Sequence, residues 1–134
     1  MIFVIGFPKC GTTSIDKALQ SVNIRTAHWK YGDEYVGLLI KKAKDENKPL
    51  LFYLENIDAL TQMEVGITPE KCYWPQLVDI ELLDKQYPHS KFILNTRNCK
   101  KWINSVNNWN NLRGRNSSTN LSGESSWFPC DGVL

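Results

Sequence analysis

Residues 2–13 read IFVIGFPKCGTT, an apolar run that leads into a loop bounded by two glycines and then into a pair of threonines. The run at 2–5 is short and rich in β-branched residues, which predicts a buried strand. After the loop, apolar residues recur at helical spacing and predict a helix with one apolar face. They are Ile15, Ala18, Leu19 and Val22. The segment therefore predicts a strand, a tight loop and a helix in direct succession.

A second unit of the same kind stands later in the chain. Residues 91–96 predict a strand, and a helix follows over about 99–109. Two further helices are predicted at 34–44 and 75–87, whereas 50–74 carries no clear prediction. Two such units separated by helices predict an α/β fold, a parallel β-sheet with helices on both faces. Ligands of such sheets bind at the carboxyl ends of the strands, where both loops lie.

Composition indicates the size and the class of the protein. The 134 residues, 42% of them hydrophobic, suffice for one compact core, so we expect a single domain at 1–109 and a polar tail at 110–134. A net charge of +2 gives no global attraction to nucleic acid or to a membrane surface. Because no apolar run is long enough for a signal peptide or a membrane span, we expect a soluble, cytoplasmic protein.

The four cysteines are far apart in the sequence. They are Cys10, Cys72, Cys99 and Cys130. No C-x-x-C pair occurs among them, which favours reduced thiols over a disulfide framework or a zinc site. The sequence therefore predicts no bound metal.

The first loop has the chemistry of a phosphate-binding site. Gly6 and Gly11 let backbone N–H groups turn inward, Lys9 adds a cation, and the helix start adds its positive dipole end. Thr12 and Thr13 can donate hydroxyl groups to a phosphate or cap the first helical turn. The lysine lies inside the loop, whereas nucleotide hydrolases place it after the second glycine. The loop thus predicts binding of a phosphate group.

Cys10 stands in this loop without the surroundings of a nucleophile. The arrangement of the cysteine phosphatases requires an arginine six positions later, and that position holds Asp16. We therefore expect Cys10 to be a small residue whose backbone N–H faces the phosphate.

Two motifs resemble those of the sulfotransferases, which use 3′-phosphoadenosine 5′-phosphosulfate (PAPS). The sequence PKCGTT at 8–13 is similar to the PKSGTT loop that grips the 5′-phosphosulfate, with a cysteine in place of the serine. The sequence YPHSKFILNTR at 87–97 is similar to the strand that leads to the 3′-phosphate site. Arg97 and Ser105 have the spacing that the family uses there. The resemblance covers residues 1–109.

The resemblance implies a fold, a reaction and a set of site residues. The fold is a single P-loop-type, sulfotransferase-like α/β domain. The reaction transfers a sulfuryl group from PAPS, without a metal, to a hydroxyl or amine of a small-molecule or glycan acceptor. The residues assigned to PAPS are Pro8, Lys9, Cys10, Gly11, Thr12, Thr13, Arg97 and Ser105. Ser14 stands where several members have a tryptophan that stacks on adenine, so we expect the adenine contact to come from elsewhere.

Lys9 and a general base are the predicted catalytic residues. Lys9 can neutralise the charge that builds on the leaving phosphate. His28 is the favoured base because histidine titrates near neutral pH. Glu34, Asp58 and Glu64 stay as alternatives, since relatives of this fold use either histidine or glutamate.

The short chain leaves other functions open. Family members continue well beyond the 3′-phosphate helix, so we expect a minimal enzyme, one completed by a partner or by oligomerisation, or an inactive binding remnant. A kinase or hydrolase that uses ATP and magnesium is a further alternative, because it shares the strand-loop-helix unit. The sequence has no lysine at the end of the loop to favour that alternative.

Overall fold

The computed structural model describes residues 1–67 and 71–108. Its elements in chain order are β1 (Ile2–Val4), α1 (Thr12–Ser21), β2 (Thr26–His28), β3 (Lys30–Tyr31), β4 (Glu34–Tyr35), α2 (Val36–Asp45), β5 (Ala59–Gln62), β6 (Val65–Gly66), β7 (Cys72–Tyr73), α3 (Pro75–Val78), α4 (Ile80–Gln86), β8 (Lys91–Ile93) and α5 (Cys99–Asn107). The predicted tail at 110–134 lies outside the described residues, so the predicted boundary at 109 stays a prediction.

Six of the strands form one sheet in the order β4-β3-β2-β5-β1-β8. The part from β2 to β8 is parallel, and β3 and β4 extend it in antiparallel fashion beside β2. Ile2 of β1 pairs with Ala59 of β5 on one side and with Lys91 of β8 on the other. The carboxyl ends of β1 and β8 therefore lie side by side, which brings the two predicted loops together.

One face of the sheet packs against α2 and α4. Phe3 of β1 is in register with Leu60 of β5, so both side chains point to the same face. They form one core with Ile40 of α2 and Leu83 of α4, and all four side chains are fully buried. Each such side chain contributes roughly 1.5–3 kcal/mol of hydrophobic stabilisation, so this face supplies much of the stability of the fold.

The helix α1 covers the opposite face. Asp16 of α1 accepts a hydrogen bond from Thr61 Oγ1 of β5 (2.8 Å), and Gln20 of α1 donates one to Thr26 Oγ1 of β2 (2.8 Å). Because Thr61 follows Leu60 in the strand, its side chain points to the other side of the sheet. The predicted α/β fold, a parallel sheet with helices on both faces, is confirmed.

The buried side of α1 differs from the predicted apolar face. Thr12 and Asp16 are the buried residues of this helix, whereas Ala18 is exposed and Val22, just beyond the helix, is 64% exposed. The helix turns a polar side to the sheet because Thr61 holds the Asp16 carboxylate there. The apolar periodicity thus predicts the helix correctly and its buried face in part, because Ile15 and Leu19 are half-buried on the same side as Asp16.

The predicted helix at 75–87 is two short helices. Pro75 begins α3, where its fixed φ and missing N–H are favourable. The helix is interrupted at Asp79, whose buried side chain accepts hydrogen bonds from Lys44 Nζ and from the Tyr73 hydroxyl. These contacts hold Asp79 between α3 and α4, which accounts for the interruption.

Several predicted boundaries also change. β8 ends at Ile93, earlier than the predicted 91–96, and α5 ends at Asn107. α2 begins at Val36, because Glu34–Tyr35 forms β4 beside β3. The stretch without a prediction contains β5, the strand between β1 and β2.

The cysteines are not all reduced. Cys10 and Cys72 are free thiols, as predicted, whereas Cys99 is disulfide-bonded. The prediction is wrong for Cys99 because C-x-x-C spacing detects only pairs that are close in sequence. In the described part of the chain no helix is long and apolar enough to cross a membrane. The cytoplasmic location stays a prediction.

Candidate active site

Residues 6–11 form the loop between β1 and α1, at the carboxyl end of a central strand. Lys9 (φ 69°) and Gly11 (φ 89°) both have left-handed backbone conformations. Gly11 immediately precedes α1, whose first N–H groups have no carbonyl partner within the helix. The loop therefore ends at the positive end of a ten-residue helix, which favours an anion.

Asn95, which follows β8, holds this loop near both ends. Its Oδ1 accepts a hydrogen bond from the Gly6 N–H (2.9 Å), and its Nδ2 donates one to the Cys10 carbonyl (3.0 Å). Glycine is needed at position 6 because a Cβ there would lie 2.2 Å from both the backbone and the side-chain oxygen of Asn95. One amide side chain thereby sets the width of the loop.

Arg97 and Trp102 anchor the middle of the loop. Arg97 Nη1 donates to the Lys9 carbonyl (2.9 Å), and Trp102 Nε1 donates to the Pro8 carbonyl (2.8 Å). The buried Trp102 ring also contacts Phe7, with 6.1 Å between the ring centroids. The two strand-loop-helix units, far apart in sequence, are thus joined into one structure.

A cleft of about 480 Å³ lies between the loop and α5. It is lined by Lys9, Arg97, Lys101, Asn104, Ser105 and Asn108. The last four recur at helical spacing along one side of α5, whereas Trp102 and Val106 are buried on the other side. Three of the described lining residues are cations and none is acidic, so the cleft suits a phosphate group.

A chain of hydrogen bonds connects the start of α1 with the sheet. His28, at the end of β2, has its Nε2 3.4 Å from Thr13 Oγ1 and its Nδ1 3.0 Å from Thr61 Oγ1. Thr61 Oγ1 in turn donates to Asp16 Oδ1 (2.8 Å). Burial lowers the pKa of His28, and the nearby Asp16 carboxylate opposes this effect only in part. The imidazole is therefore neutral at pH 7.

The family model of the sulfotransferase domain matches residues 1–128 of the chain. The chain belongs to the sulfotransferase family. The match spans both motifs, so the predicted resemblance is confirmed, and it extends beyond the predicted limit at residue 109. The comparison with curated proteins finds no match, and neither does the comparison with solved structures.

The two sulfotransferase motifs meet in the cleft. Lys9 comes from the first motif and Arg97 and Ser105 come from the second, and all three line the same cavity. Pro8 contributes through its carbonyl, which accepts the Trp102 hydrogen bond. The structure therefore brings Lys9, Arg97 and Ser105 together, whereas Cys10, Gly11, Thr12 and Thr13 do not line this cleft.

The paired threonines of the sulfotransferase loop do not cap α1. No side chain in the described ranges accepts a hydrogen bond as the N-cap of this helix, where Gly11 stands. Thr12 Oγ1 donates to Gln62 Oε1 (3.3 Å), and Thr13 Oγ1 lies near His28. Of the two predicted roles, capping is wrong, and a hydroxyl contact with phosphate stays a prediction.

Cys10 has the properties of a structural residue of the loop. Its backbone N–H donates to the Phe7 carbonyl (3.2 Å), so the predicted contact of this N–H with a phosphate competes with a turn. Burial raises the pKa of the Cys10 thiol, and the Arg97 charge opposes that effect. A protonated thiol is a poor nucleophile.

The three alternative candidates for the general base lie in environments that differ from that of His28. Asp58 precedes β5, at the opposite end of the strand from the loop, and hydrogen bonds from Arg25 lower its pKa to about 2. Glu34 is exposed in β4, on the edge of the sheet farthest from β8. Glu64 is buried, which raises its pKa to about 7, and it accepts a hydrogen bond from Gln76. Across the described ranges, no three His, Cys, Asp or Glu side chains are grouped to hold a metal ion.

Sequence reasoning missed four residues of this site. They are Asp16, Thr61, Asn95 and Lys101. Lys101 has a detectable signal, because it shares helical spacing with Ser105. Asn95 is a polar residue close after a strand and before Arg97, a weaker signal. Asp16 and Thr61 have none, since they meet only when α1 packs on β5.

Proposed function

We propose that this sulfotransferase binds PAPS and transfers its sulfuryl group to a hydroxyl or amine of a small-molecule or glycan acceptor. The observation that supports this best is the cleft that Lys9 lines together with Arg97 and Ser105. PAPS carries anionic groups at its 5′ and 3′ positions, and the cleft gathers the cations of both motifs in one cavity. Its volume of about 480 Å³ is that of a small-molecule site.

The two anionic groups of PAPS are assigned to different parts of the cleft. Lys9 serves the 5′-phosphosulfate at the loop, and Arg97 serves the 3′-phosphate. Arg97 uses one N–H for the Lys9 carbonyl, and its guanidinium has further donors to offer a phosphate. Lys101 and Ser105, from successive turns of α5, add an ammonium and a hydroxyl to the same site.

When bound, PAPS supplies an activated sulfuryl group whose leaving group is a phosphate. The acceptor atom forms its bond to sulfur while the bond from sulfur to the bridging oxygen breaks, and that oxygen keeps the electron pair. Lys9 neutralises the charge that develops there. By analogy with a single oxyanion-hole donor, its contribution to the rate is roughly 3–4 kcal/mol.

His28 is proposed as the general base that takes the proton of the acceptor. Two features support this role: its ring is neutral at pH 7, and Nε2 lies beside Thr13 at the start of α1. Asp58 is less suited because Arg25 neutralises it at the other end of the strand. Glu64 is less suited because it is buried away from solvent.

Calorimetric titration tests the choice of co-substrate. Adenosine 3′,5′-bisphosphate, the product that remains after transfer, should bind more tightly than ATP with magnesium, because the cleft has cations for both of its phosphates. Equal or tighter binding of ATP would favour the kinase or hydrolase alternative. Binding of the bisphosphate without transfer from PAPS to any hydroxyl or amine acceptor in a panel would favour a non-catalytic binding protein.

Single substitutions test which residues bind the 5′ and the 3′ phosphate groups of the ligand. Arg97→Ala should weaken binding of the bisphosphate by roughly 1.5–3 kcal/mol and weaken adenosine 5′-phosphate less, because the latter has no 3′-phosphate and is affected only through the lost bond to the Lys9 carbonyl. Ser105→Ala should act in the same direction with a smaller effect. Lys9→Ala should weaken both ligands. Equal weakening of both ligands by Arg97→Ala would contradict the assignment of the 3′-phosphate.

A further inference from the structure

Asp16, Thr61 and His28 form a directed series of hydrogen bonds behind the phosphate loop. Thr61 Oγ1 is 2.8 Å from Asp16 Oδ1, 3.3 Å from the Ala27 carbonyl and 3.0 Å from His28 Nδ1. Thr61 is fully buried, and Asp16 is only 7% exposed. Gln20 Nε2 fixes the second carboxylate oxygen, Oδ2, of Asp16 at 3.0 Å.

The direction of these bonds follows from counting hydrogens. A threonine hydroxyl has one hydrogen, and neither a carboxylate nor a carbonyl oxygen has any to give. The Thr61 hydrogen is therefore directed to Asp16 or Ala27, and the hydroxyl oxygen can only accept from His28. It follows that His28 carries its hydrogen on Nδ1. In the neutral ring, Nε2 then has a lone pair that faces the Thr13 hydroxyl and can accept its hydrogen.

We propose that Asp16 and Thr61 are positioning residues that fix the Nδ1–H tautomer of His28 and so direct its Nε2 lone pair toward the phosphate loop. Neither residue touches the reacting atoms. The catalytic consequence rests on the proposed function, because it concerns the base that accepts the proton of the acceptor. The tautomer itself depends only on the three side chains.

The same series also affects the protonated ring. When Nε2 takes up a proton, His28 keeps its Nδ1–H bond to Thr61. The negatively charged Asp16 carboxylate lies on the far side of the Thr61 hydroxyl, from which it accepts a hydrogen bond. The proton remains on His28 and does not move along the series. The described groups that face the ring are Asp16 and Thr13 from α1 and Thr61 from β5. Asp16 supplies the negative charge of this set, and it favours the imidazolium.

One isosteric variant should reverse the direction of the bonds. In Asp16→Asn, the amide oxygen keeps the bond from Gln20, so the NH₂ group takes the place of Oδ1 and donates to Thr61. The Thr61 hydrogen can then turn to the Ala27 carbonyl at 3.3 Å or to His28 Nδ1 at 3.0 Å, and the shorter contact favours Nδ1, so the ring takes the Nε2–H form. In serine hydrolases an equivalent exchange leaves the geometry intact, yields the wrong histidine tautomer and lowers kcat about 10⁴-fold.

The experiment is ¹⁵N NMR of the histidine rings in the full chain without ligand at pH 8, with His89→Gln to assign the two histidines. We expect Nδ1–H at His28 in the parent protein and in Thr61→Ser, which keeps the hydroxyl. We expect the Nε2–H tautomer in Asp16→Asn. In Thr61→Val we expect a larger fraction of the Nε2–H tautomer than in the parent protein. Nε2–H in the parent protein, or an unchanged tautomer in Asp16→Asn, would overturn the proposal.

Transfer kinetics separate this proposal from the proposed function. If both hold, Asp16→Asn and Thr61→Val lower kcat tenfold or more with little change in KM for PAPS, and Thr61→Ser restores kcat. If transfer is absent in every protein, the proposed function fails and the NMR result alone decides the tautomer. If transfer occurs and kcat stays unchanged in Asp16→Asn despite the reversed tautomer, positioning by Asp16 is refuted while the sulfotransferase activity stands.

Discussion

The apolar face of the sheet and its carboxyl edge are built from different kinds of contact. On the apolar face, Phe3 and Leu60 are fully buried against side chains of α2 and α4. At the carboxyl edge, the side chains of Asn95, Arg97 and Trp102 instead bond to backbone groups of the loop at residues 6–11. On the apolar face, the packing of side chains stabilises the fold. At the carboxyl edge, hydrogen bonds fix the conformation of the loop. A substitution in one region should therefore affect a different measurement from a substitution in the other.

The carboxyl edge also contains buried polar atoms that lower the stability of the fold, and the apolar face does not. Glu64 Oε1 and Gln76 Oε1 are buried and have no hydrogen-bond partner within the described residues. Buried polar atoms without a partner destabilise a fold by about 1–3 kcal/mol each. The buried Glu64 and Gln76 side chains thus lower the stability of the fold.

The largest expected effect is the loss of stability in Phe3→Ala. The Phe3 ring is fully buried and contacts the rings of Tyr87 and Phe92, so its removal should cost about 3–5 kcal/mol of unfolding free energy in urea. The matched control is Phe52→Ala, because the Phe52 side chain is 49% exposed, and it should cost less than about 1 kcal/mol. Similar losses at both positions would show that the apolar face is not the main source of stability.

The next effect concerns the pH dependence of stability. Burial raises the pKa of Glu64 from 4.5 to about 7, so the folded chain holds a proton that the unfolded chain releases. The stability due to this group is present below pH 4.5 and is lost as the pH rises to about 7, a change of about 3 kcal/mol. Glu64→Gln should therefore be more stable than the parent protein at pH 8 and similar to it at pH 4. Urea unfolding at both pH values measures this, with the exposed Glu55→Gln as a control that should change neither value.

Gly6→Ala should affect both regions at once. The new Cβ would displace Asn95 and break the two hydrogen bonds that hold the loop, at a cost of about 1–3 kcal/mol in stability. Binding of adenosine 3′,5′-bisphosphate should weaken as well, because the loop loses its width. Gly32→Ala provides the comparison, since its Cβ would meet open space and its penalty is the positive φ of 61°, which Gly6 does not have. Unchanged ligand binding in Gly6→Ala would show that the Asn95 contacts do not shape the site.

The smallest effect distinguishes two neighbouring lysines of α5. Lys101 lines the cleft and Lys100 does not. Lys101→Ala should weaken binding of the bisphosphate by about 1 kcal/mol, because exposed charge pairs contribute little, and the effect should shrink at high salt. Lys100→Ala should leave binding unchanged in the same calorimetric titration. Equal effects would mean that α5 attracts the ligand through its total charge and has no defined subsite.

The sequence predicts this fold best where the structure is local. The strand, loop and helix at the start are adjacent in the chain, so an apolar run, two glycines and a helical period suffice to predict them. β5 escaped prediction because a polar residue, Thr61, is buried on the face under α1 and breaks the apolar pattern. The buried face of α1 was predicted only in part for the same reason: Asp16 is buried by its partner on β5, which the sequence of the helix does not contain.

The residues of the candidate site could likewise be predicted only where they belong to one short segment of the sequence. Lys9, Arg97 and Ser105 follow from motifs, because each motif is a short segment with its own spacing. Their meeting in one cleft follows from the parallel pairing of β1 with β8, and the α/β prediction implies parallel strands without fixing which strands are neighbours. The His28 series joins residues from α1, β2 and β5, and no spacing in the sequence indicates such a meeting. It could only be found once the packing of the three elements was known.

The position of β1 between β5 and β8 has a consequence for biosynthesis. Ile2 pairs with Ala59 and with Lys91, so this strand is made long before either of its neighbours. At about 5–20 residues per second, a ribosome takes roughly 4–18 s to extend the chain from Ile2 to Lys91. Throughout that interval the nascent chain carries an apolar strand with at least one unpaired edge. Translation pauses before β8 would lengthen the interval, during which the open edge of β1 can pair with another chain and so favours aggregation.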